Sequence, residues 1–185
     1  MNKAREQGAG KYRSVFTTDL GCGGVVANTY GLVEVFLPFA GSTRKEVLAR
    51  IGELYPLAMG ETPLTKEAAA RLARYFAGER VEFDFPIDRR RFTLFQCSVY
   101  DVVARIPYGA VKSYGEIARE VMRPQAARGI GRAMAGNPLP VIIPCHRVVG
   151  AAGTMTGYSG PGGVVSKQWL LRLEGIGLTE RGRVG

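Results

Sequence analysis

A cysteine and a histidine that could perform nucleophilic chemistry lie side by side in the stretch VIIPCHRVVG, residues 141–150. The thiolate of a cysteine is its nucleophilic form, and an unperturbed pKa of about 8.5 keeps the group mostly protonated at neutral pH. The imidazole of His146 or the guanidinium of Arg147 would raise the thiolate fraction of Cys145. Adjacency does not establish contact, because successive side chains of a strand point in opposite directions. The residues alone leave a structural cysteine with a surface histidine open as the alternative.

The three cysteines form neither a disulfide framework nor a zinc-binding pattern. They stand at positions 22, 97 and 145, no two of them form a CxxC pair, and the chain contains a single histidine. An odd number of scattered thiols is typical of reduced cysteines in a cytoplasmic protein. A structural zinc ion needs four ligands, usually cysteine and histidine. We therefore expect no metal site and a cytoplasmic location.

The chain is strongly basic, with a formal net charge of +9 and a pI of about 9.8. An excess of positive charge favours a polyanionic partner, such as nucleic acid or an anionic membrane surface. No apolar run approaches the roughly 20 residues that a membrane span needs. The polar start of the chain also lacks the apolar core of a signal peptide. We expect a soluble protein that does not enter a membrane.

The first half of the chain predicts a small sheet with helices. After a lead-in over residues 1–12, the pattern predicts two or three strands between Val15 and Phe39, separated by glycine turns. Two helices and another strand follow: residues 42–56 with Ser42 as N-cap, residues 62–79 closed by Gly78, and a strand over residues 81–87. The segment DRRRF, residues 88–92, is the best candidate for a boundary. We predict domains at 1–88 and 89–185.

The second half is predicted to be mostly helical. The predicted elements are a helix over 92–107, a short helix over 113–121, another over 126–137, a buried strand over 139–143 and an amphipathic helix over 165–175 that ends at Gly175. The two short helices lie on either side of a tight turn, which fits a helix-turn-helix, a motif that places its second helix in a DNA groove. The predicted fold class is mixed α/β.

Five sequence blocks follow one another along this half of the chain: IPYGAVKSYGEIA, RGIGRAMAGNP, IPCHRVV, GYSG and WLLRLEG. With these blocks and their spacing the chain resembles the O6-alkylguanine-DNA alkyltransferases, also called methylated-DNA–protein-cysteine methyltransferases. The resemblance covers residues 92–175 well, and residues 15–85 only loosely through GLVEVFLP and LARYFAGE. It implies an N-terminal sheet with helices of RNase H-like type. It also implies a C-terminal winged-helix-like domain that binds DNA and accepts the alkyl group.

The resemblance also implies a direct-reversal repair reaction. An alkyl group would pass from O6-alkylguanine to the sulfur of Cys145, with O4-alkylthymine left open as a second substrate. The resemblance implies that His146 takes the thiol proton through a water and that Glu174 orients the imidazole. Tyr114 matches a phenol that donates to guanine N3, and Asn137 matches a hinge beside the active-site turn. A thioether is not readily cleaved near neutral pH, so each molecule is expected to act once and without a cofactor.

The implied partner is double-stranded DNA that carries O6-alkylguanine, bound through the minor groove with little sequence preference by a monomer. A stacked base cannot be reached, so the nucleotide is expected to flip out of the duplex. Arg128 matches the arginine that fills the resulting gap. The other positions that match the family's binding surface are Ala126, Ala127, Gly129, Ser113, Val148, Tyr158 and Ser159. Four further basic residues are candidates for phosphate contacts: Lys112, Arg119, Arg123 and Arg132.

Two features depart from the family pattern. The loop GYSGPGGVVSK is about two residues longer than usual, and Tyr100 stands where many members carry tryptophan. Two other functions are alternatives to repair. A catalytically silent alkyltransferase-like protein would lack the acceptor thiol, which Cys145 supplies. A cysteine hydrolase would need an oxyanion hole, for which the sequence contains no matching motif.

Overall fold

The computed structural model describes residues 10–185, and residues 1–9 of the predicted lead-in lie outside this range. The chain divides into two compact units, Met1–Asp88 and Arg89–Gly185. Both units combine helices with strands, so the predicted mixed α/β class is confirmed. The RNase H-like and winged-helix-like comparisons remain predictions.

A four-stranded sheet forms the base of the first unit. Its strands are β1 (Lys11–Thr18), β2 (Gly21–Asn28), β3 (Gly31–Phe36) and β4 (Ala58–Met59). The order across the sheet is β3-β2-β1-β4, with the first three strands antiparallel and β4 parallel to β1. Gly21 and Gly31 open β2 and β3 with φ of +137° and +142°, which glycine adopts at little steric cost. The predicted meander is confirmed, although β1 starts earlier, inside the predicted lead-in.

Two helices pack against this sheet, α1 (Arg44–Leu54) and α2 (Pro63–Phe76). Both predicted helices are confirmed, but the predicted N-cap of α1 was wrong. Thr43 is the cap: its hydroxyl accepts from the Glu46 N–H, and the Glu46 carboxylate accepts from the Thr43 N–H at 2.8 Å. The hydroxyl of Ser42 instead donates to the carbonyl of Cys22 at 2.8 Å. The contact with β2 that recruits Ser42 is tertiary, so the local sequence could not predict it.

The core of the first unit lies between the sheet and the helices. Burying an aliphatic side chain contributes about 1.5–3 kcal/mol. Ile51 of α1 and Val26 of β2 are fully buried at the centre of one cluster. The buried members of that cluster are Cys22, Val26, Val33, Phe36, Val47, Ile51, Tyr55 and Ala58.

The strand predicted over residues 81–87 does not form. Only Ile87 makes a β-bridge, to Leu32, and the carbonyl of Pro86 accepts from the Leu32 N–H at 2.8 Å. Proline has no N–H to donate to a ladder. Side chains hold the segment instead, with Phe83 packed edge-on against Tyr75 at 5.9 Å between ring centroids. The alternation of apolar residues therefore reflected aromatic packing.

The second unit is built mainly from short helices. Its elements are α3 (Leu94–Ala104), β5 (Lys112–Ser113), α4 (Tyr114–Glu120), α5 (Ala127–Ala135), β6 (Val148–Val149) and α6 (Val164–Leu173). Strands β5 and β6 pair in parallel and were not predicted, because two residues carry no readable periodicity. The four predicted helices are confirmed. Gly175 follows α6 with φ +79°, as a helix-ending glycine does.

The strand predicted over residues 139–143 was wrong, because this segment is a turn. Its only β-bridge joins Pro140 to Ile143, and Val141 has a φ of +73°. Prolines at positions 138, 140 and 144 remove three backbone donors, which prevents a ladder. The segment is nevertheless buried, with Leu139 and Ile143 almost inaccessible. Its apolar character serves packing rather than strand pairing.

Helix α3 supports helix α5 through two close contacts. The Tyr100 hydroxyl donates to the carbonyl of Ala133 at 2.9 Å, so the tyrosine at this position ties the two helices together. A Cβ on Gly129 would lie 3.3 Å from the ring of Phe95. The small residue at 129 therefore permits close helix packing.

The turn between α4 and α5 closes α4 with two backbone hydrogen bonds. The Met122 N–H donates to Arg119 O at 2.9 Å, and the Arg123 N–H donates to Ala118 O at 2.8 Å. This pair defines a Schellman cap, in which the left-handed position is usually glycine. Met122 occupies that position with φ +57°.

Among residues 10–185, no helix combines the length and the apolar character required to cross a bilayer.

Candidate active site

Cys145 begins a single 3-10 turn, Cys145–Arg147, that directly precedes β6. The residue is 5% exposed and borders a cavity of about 270 Å³. Tyr114 of α4 and Lys167 of α6 line the same cavity, together with Tyr158 and Ser159 from the glycine-rich loop. The structure therefore brings four of the predicted site residues, Cys145, Tyr114, Tyr158 and Ser159, to one cavity.

A buried carboxylate organises the other side of this turn. Glu174, which caps the end of α6, is 4% exposed. Its Oε1 lies 2.7 Å from Nε2 of His146, and its Oε2 accepts from Nε of Arg147 at 2.9 Å. The backbone N–H of Gly109 also donates to Oε2, at 3.3 Å. The predicted pairing of His146 with Glu174 is thus present in the geometry.

Arg147 does not serve the sulfur as the sequence suggested. Its Nη2 donates to Glu174 at 2.9 Å, and its Nη1 donates to the carbonyl of Ile106 at 2.6 Å. A buried carboxylate is stable only when a paired charge offsets its desolvation. Arg147 therefore acts as the counter-ion of Glu174, and the expectation that it raises the thiolate fraction of Cys145 was wrong.

His146 is fully buried and held as a neutral base. Burial lowers the pKa of the imidazole below its usual value, although the hydrogen bond that the imidazole donates to Glu174 opposes this shift. A carboxylate only accepts, so a neutral imidazole paired with it carries its proton on Nε2. The basic nitrogen is then Nδ1. The geometry prepares His146 to accept a proton rather than to donate one.

Burial raises the pKa of the Cys145 thiol above its usual value, while the hydrogen bond from the Asn137 amide and the charge of Lys167 oppose this shift. Asn137 also donates to Ile143 O at 2.8 Å and accepts from the Leu139 N–H at 3.0 Å. Asn137 therefore holds the buried turn in place through its hydrogen bonds and also bonds to the sulfur of Cys145. The free protein holds Cys145 mainly as a thiol.

Lys167 is a site residue that sequence reasoning missed. It is 1% exposed and donates to the carbonyl of Val148 at 2.5 Å. Burial lowers its pKa to about 8, although the neighbouring Cys145 opposes the shift. The sequence contained a signal for its burial, because the helical spacing places Lys167 on the same face as Leu171 and Glu174. A charged residue on the buried face of α6 points to a specific partner.

The two tyrosines of the cavity have different surroundings. The Tyr114 hydroxyl reaches the carbonyl of Thr156 at 3.4 Å, a long hydrogen bond that a bound base could replace. Burial raises the pKa of Tyr158 well above its usual value, and the adjacent Cys145 adds to the shift. Tyr158 therefore stays protonated beside the sulfur. Ser159 is exposed at the cavity.

The predicted DNA-contact residues cluster at the start of α5. Arg128 and Ala127 are exposed, Ala126 is half-buried, and Ala126 caps the helix without a side-chain hydrogen bond. Gly129 faces Phe95, so packing accounts for its small size.

Three other predicted contacts are engaged within the unit. The Ser113 hydroxyl caps α4 and donates to Glu116 at 2.6 Å. Lys112 donates to Glu120 at 2.6 Å, so its charge is largely compensated. The carbonyl of Val148 accepts from Lys167.

Within the part of the chain that the structure describes, no group of three or more histidine, cysteine or acidic side chains could hold a metal ion.

Comparison with known proteins matches the second unit to a protein family. Residues 94–176 match the family model described as 6-O-methylguanine DNA methyltransferase, DNA binding domain. A methylated-DNA–protein-cysteine methyltransferase of Mycolicibacterium paratuberculosis is 49% identical over 107 residues, which cover 58% of this chain and 63% of that protein. The constitutive methylated-DNA–protein-cysteine methyltransferase of Bacillus subtilis is 43% identical over 121 residues, covering 65% and 72%. The chain thus spans less than two thirds of the first relative.

Solved structures match over almost the whole chain. The crystal structure of Mycobacterium tuberculosis O6-methylguanine methyltransferase gives a TM-score of 0.69 at 32% identity and covers 95% of each chain. The M. tuberculosis OGT structure in complex with DNA gives 0.69 at 34% identity and covers 88% of this chain and 92% of that one. A Pyrococcus kodakaraensis O6-methylguanine-DNA methyltransferase, at 22% identity and a TM-score of 0.62, shares the fold.

The fold and the site define a mixed α/β protein in which a cavity-lining cysteine directly precedes a buried imidazole–carboxylate pair. Given these matches, the chain belongs to the methylated-DNA–protein-cysteine methyltransferase family, and the resemblance carried by the five sequence blocks is confirmed.

The buried carboxylate network gives a stability prediction. Glu174→Gln removes the charge that compensates Arg147 and is expected to lower the free energy of unfolding by about 3 kcal/mol, because an unpaired buried cation remains. Glu180→Gln is the matched control, since Glu180 is exposed on the tail that follows α6, and it should change stability by less than about 0.5 kcal/mol. Urea denaturation measures both values. Equal stability of the two variants would contradict the proposed role of the network.

Proposed function

We propose that the chain repairs DNA by direct reversal, transferring the alkyl group of O6-alkylguanine in double-stranded DNA irreversibly to Cys145. The single observation that carries the proposal is the cavity-lining thiol of Cys145 next to a neutral, buried His146 held by Glu174. Support also comes from relatives named methylated-DNA–protein-cysteine methyltransferases. The M. tuberculosis protein has been solved in complex with DNA, which supports DNA as the partner.

The proposed step is an in-line displacement at the alkyl carbon. A bond forms between Sγ of Cys145 and that carbon while the bond from the carbon to guanine O6 breaks. The electron pair of the broken bond stays on guanine, and the thiol proton passes to His146 through a water. The soft, highly nucleophilic thiolate suits this displacement. The product is a thioether, so the protein acts once per molecule.

Different side chains around the sulfur accept the thiol proton and stabilise the thiolate. Burial keeps the Cys145 thiol protonated and unreactive until substrate enters, and the neutral His146 then accepts its proton. The charge of Lys167 and the amide of Asn137 favour the thiolate as it forms. This is nucleophile–base–orienter logic with sulfur as the nucleophile and Glu174 as the orienter.

The guanine leaving group needs hydrogen-bond donors, because it departs with a negative charge. We assign this work to the phenol of Tyr114, acting at N3, and to Ser159, acting near O6. Tyr158 forms the wall beside the sulfur. The backbone carbonyls of Cys145 and Val148 are the acceptors for the guanine 2-amino group. Tyr114, Cys145, Tyr158 and Ser159 line the cavity, and Val148 directly follows the turn that carries Cys145.

A flipped nucleotide is required to bring the alkyl carbon to the sulfur, at a cost of a few kcal/mol. Arg128, exposed in the first turn of α5, is the residue that would fill the gap in the stack. Arg119 and Arg123 are also exposed and suit phosphate contacts that carry no sequence information. This gives minor-groove binding with little sequence preference by a monomer.

The cytoplasm is the proposed location. The cysteines at 22, 97 and 145 are all free thiols in the described part of the chain, which supports a reducing compartment.

The reaction is tested by incubating the protein with a duplex that contains O6-methylguanine and weighing its peptides by mass spectrometry. The peptide with Cys145 is expected to gain the mass of one methylene group, and the gain should stop at one equivalent. Cys145→Ala should take up no methyl group yet still bind the duplex, whereas Cys97→Ala should react normally. An unmodified protein after prolonged incubation, or continued turnover as in a hydrolase, would refute the proposal.

The pH dependence of the transfer rate tests the proton assignments. The rate should fall as pH drops through the lowered pKa of His146, because a protonated imidazole cannot accept the thiol proton. On the alkaline side the rate should decline through about pH 8, where Lys167 loses the charge that favours the thiolate. Lys167→Met should lower the rate at pH 7 about tenfold, through loss of a nearby positive charge, and its profile should lack the decline near pH 8.

Single-turnover rates at saturating duplex measure this profile. Lys66→Met is the control, since Lys66 is an exposed lysine of the first unit, and it should reproduce the parent curve. A Lys167→Met profile that coincides with the parent's would exclude Lys167 from the reaction.

A further inference from the structure

Met122 holds a backbone conformation that its residue type disfavours. The two hydrogen bonds that close α4 require a left-handed residue at position 122, and Met122 adopts it with φ +57°. Glycine is the usual choice there because any Cβ is strained in this region. A non-glycine residue with this strain calls for a reason outside the helix end itself.

Packing within the unit does not supply that reason. Met122 is 86% exposed, so burial of its side chain offsets little of the strain. Of the large apolar side chains in residues 10–185, only Leu94 is more exposed, at 89%. A flexible thioether that stands in solvent is suited to adapt to a partner surface.

The surroundings of Met122 are positively charged. Residues 122–125 and 127–128 are all exposed, and this turn surface includes Arg123 and Arg128. The nearby acidic side chains are already bonded within the unit, Glu116 to Ser113 and Glu120 to Lys112. An exposed apolar side chain beside exposed arginines fits a polyanion that also offers apolar surface.

We propose that Met122 is a contact residue for duplex DNA, with its side chain packed against deoxyribose and base edges in the minor groove beside the flipped nucleotide. The proposal rests on the proposed function and adds to it an apolar anchor on the turn that leads into α5. Methionine is among the side chains that proteins press into the minor groove. Arg123 and Arg128, which both follow it in sequence, supply the phosphate and base-stack contacts.

The test measures duplex affinity in variants that carry Cys145→Ala, which prevents transfer. Met122→Gly and Met122→Ala should each bind an O6-methylguanine duplex about fivefold more weakly, the effect of losing one partly buried apolar side chain. Met122→Gly should at the same time unfold at higher urea concentration, because it relieves the strain. Met59→Ala is the matched control: Met59 is 71% exposed in the first unit and should bind as the parent does.

Salt dependence separates an apolar contact from a charged one. The slope of log affinity against log salt should be unchanged in Met122→Gly, whereas Arg123→Ala should reduce it by about 1. Fluorescence anisotropy over a salt series gives both numbers. A Met122→Gly variant with parental affinity would overturn the proposal, and so would one whose only change is in the salt slope.

Oxidation by dilute peroxide gives a readout on the unsubstituted side chain. Met122 should be oxidised rapidly in the free protein and protected by the duplex, while Met59 should be oxidised equally in both states. Protection of Met122 that depends on protein concentration without DNA would identify a second copy of the chain as the partner and refute the proposal. A parent protein that takes up no methyl group would instead refute the proposed function, so the two failures are distinguishable.

Discussion

The buried charge of Glu174 is the constraint on which the site depends. Placing a carboxylate in the interior is costly unless its charge is matched and its oxygens are bonded. Arg147 matches the charge with two nitrogens, and the Gly109 N–H adds a further hydrogen bond. With the charge compensated, His146 can bond to the same carboxylate and remain neutral. One interaction thus joins the end of α6, the turn that carries Cys145 and the loop after α3.

The same network explains why the positive charge that favours the thiolate comes from Lys167 and not from Arg147, which is nearer in sequence. Arg147 follows two positions after Cys145 but faces the carboxylate, whereas Lys167 comes from α6 and places its charge near the sulfur. Because the lysine is buried, its charge is sensitive to pH in the range in which the thiol must ionise. The site therefore combines a fixed ion pair that holds geometry with a titratable cation that assists chemistry.

Much of this could be predicted from local sequence, and the failures have physical causes. The helices were predictable because apolar spacing, caps and glycine or proline stops act within a few residues. The segment over residues 139–143 misled because its apolar residues suggest a strand, while alternating prolines remove the donors. Thr43 caps α1 instead of the predicted Ser42, because the hydroxyl of Ser42 bonds to β2. The roles of Arg147 and Lys167 depend on how elements pack, which only a helical-face reading of α6 could have anticipated.

The central claim is that burial keeps His146 neutral while Glu174 fixes its tautomer, with Nδ1 left as the proton acceptor, and NMR titration tests it most directly. The chain contains one histidine, so the imidazole signals of the untagged protein belong to His146 alone. We predict a titration midpoint below the usual value of about 6.5, with the Nε2-protonated tautomer populated at neutral pH. A midpoint at or above that value, or the opposite tautomer, would contradict the account.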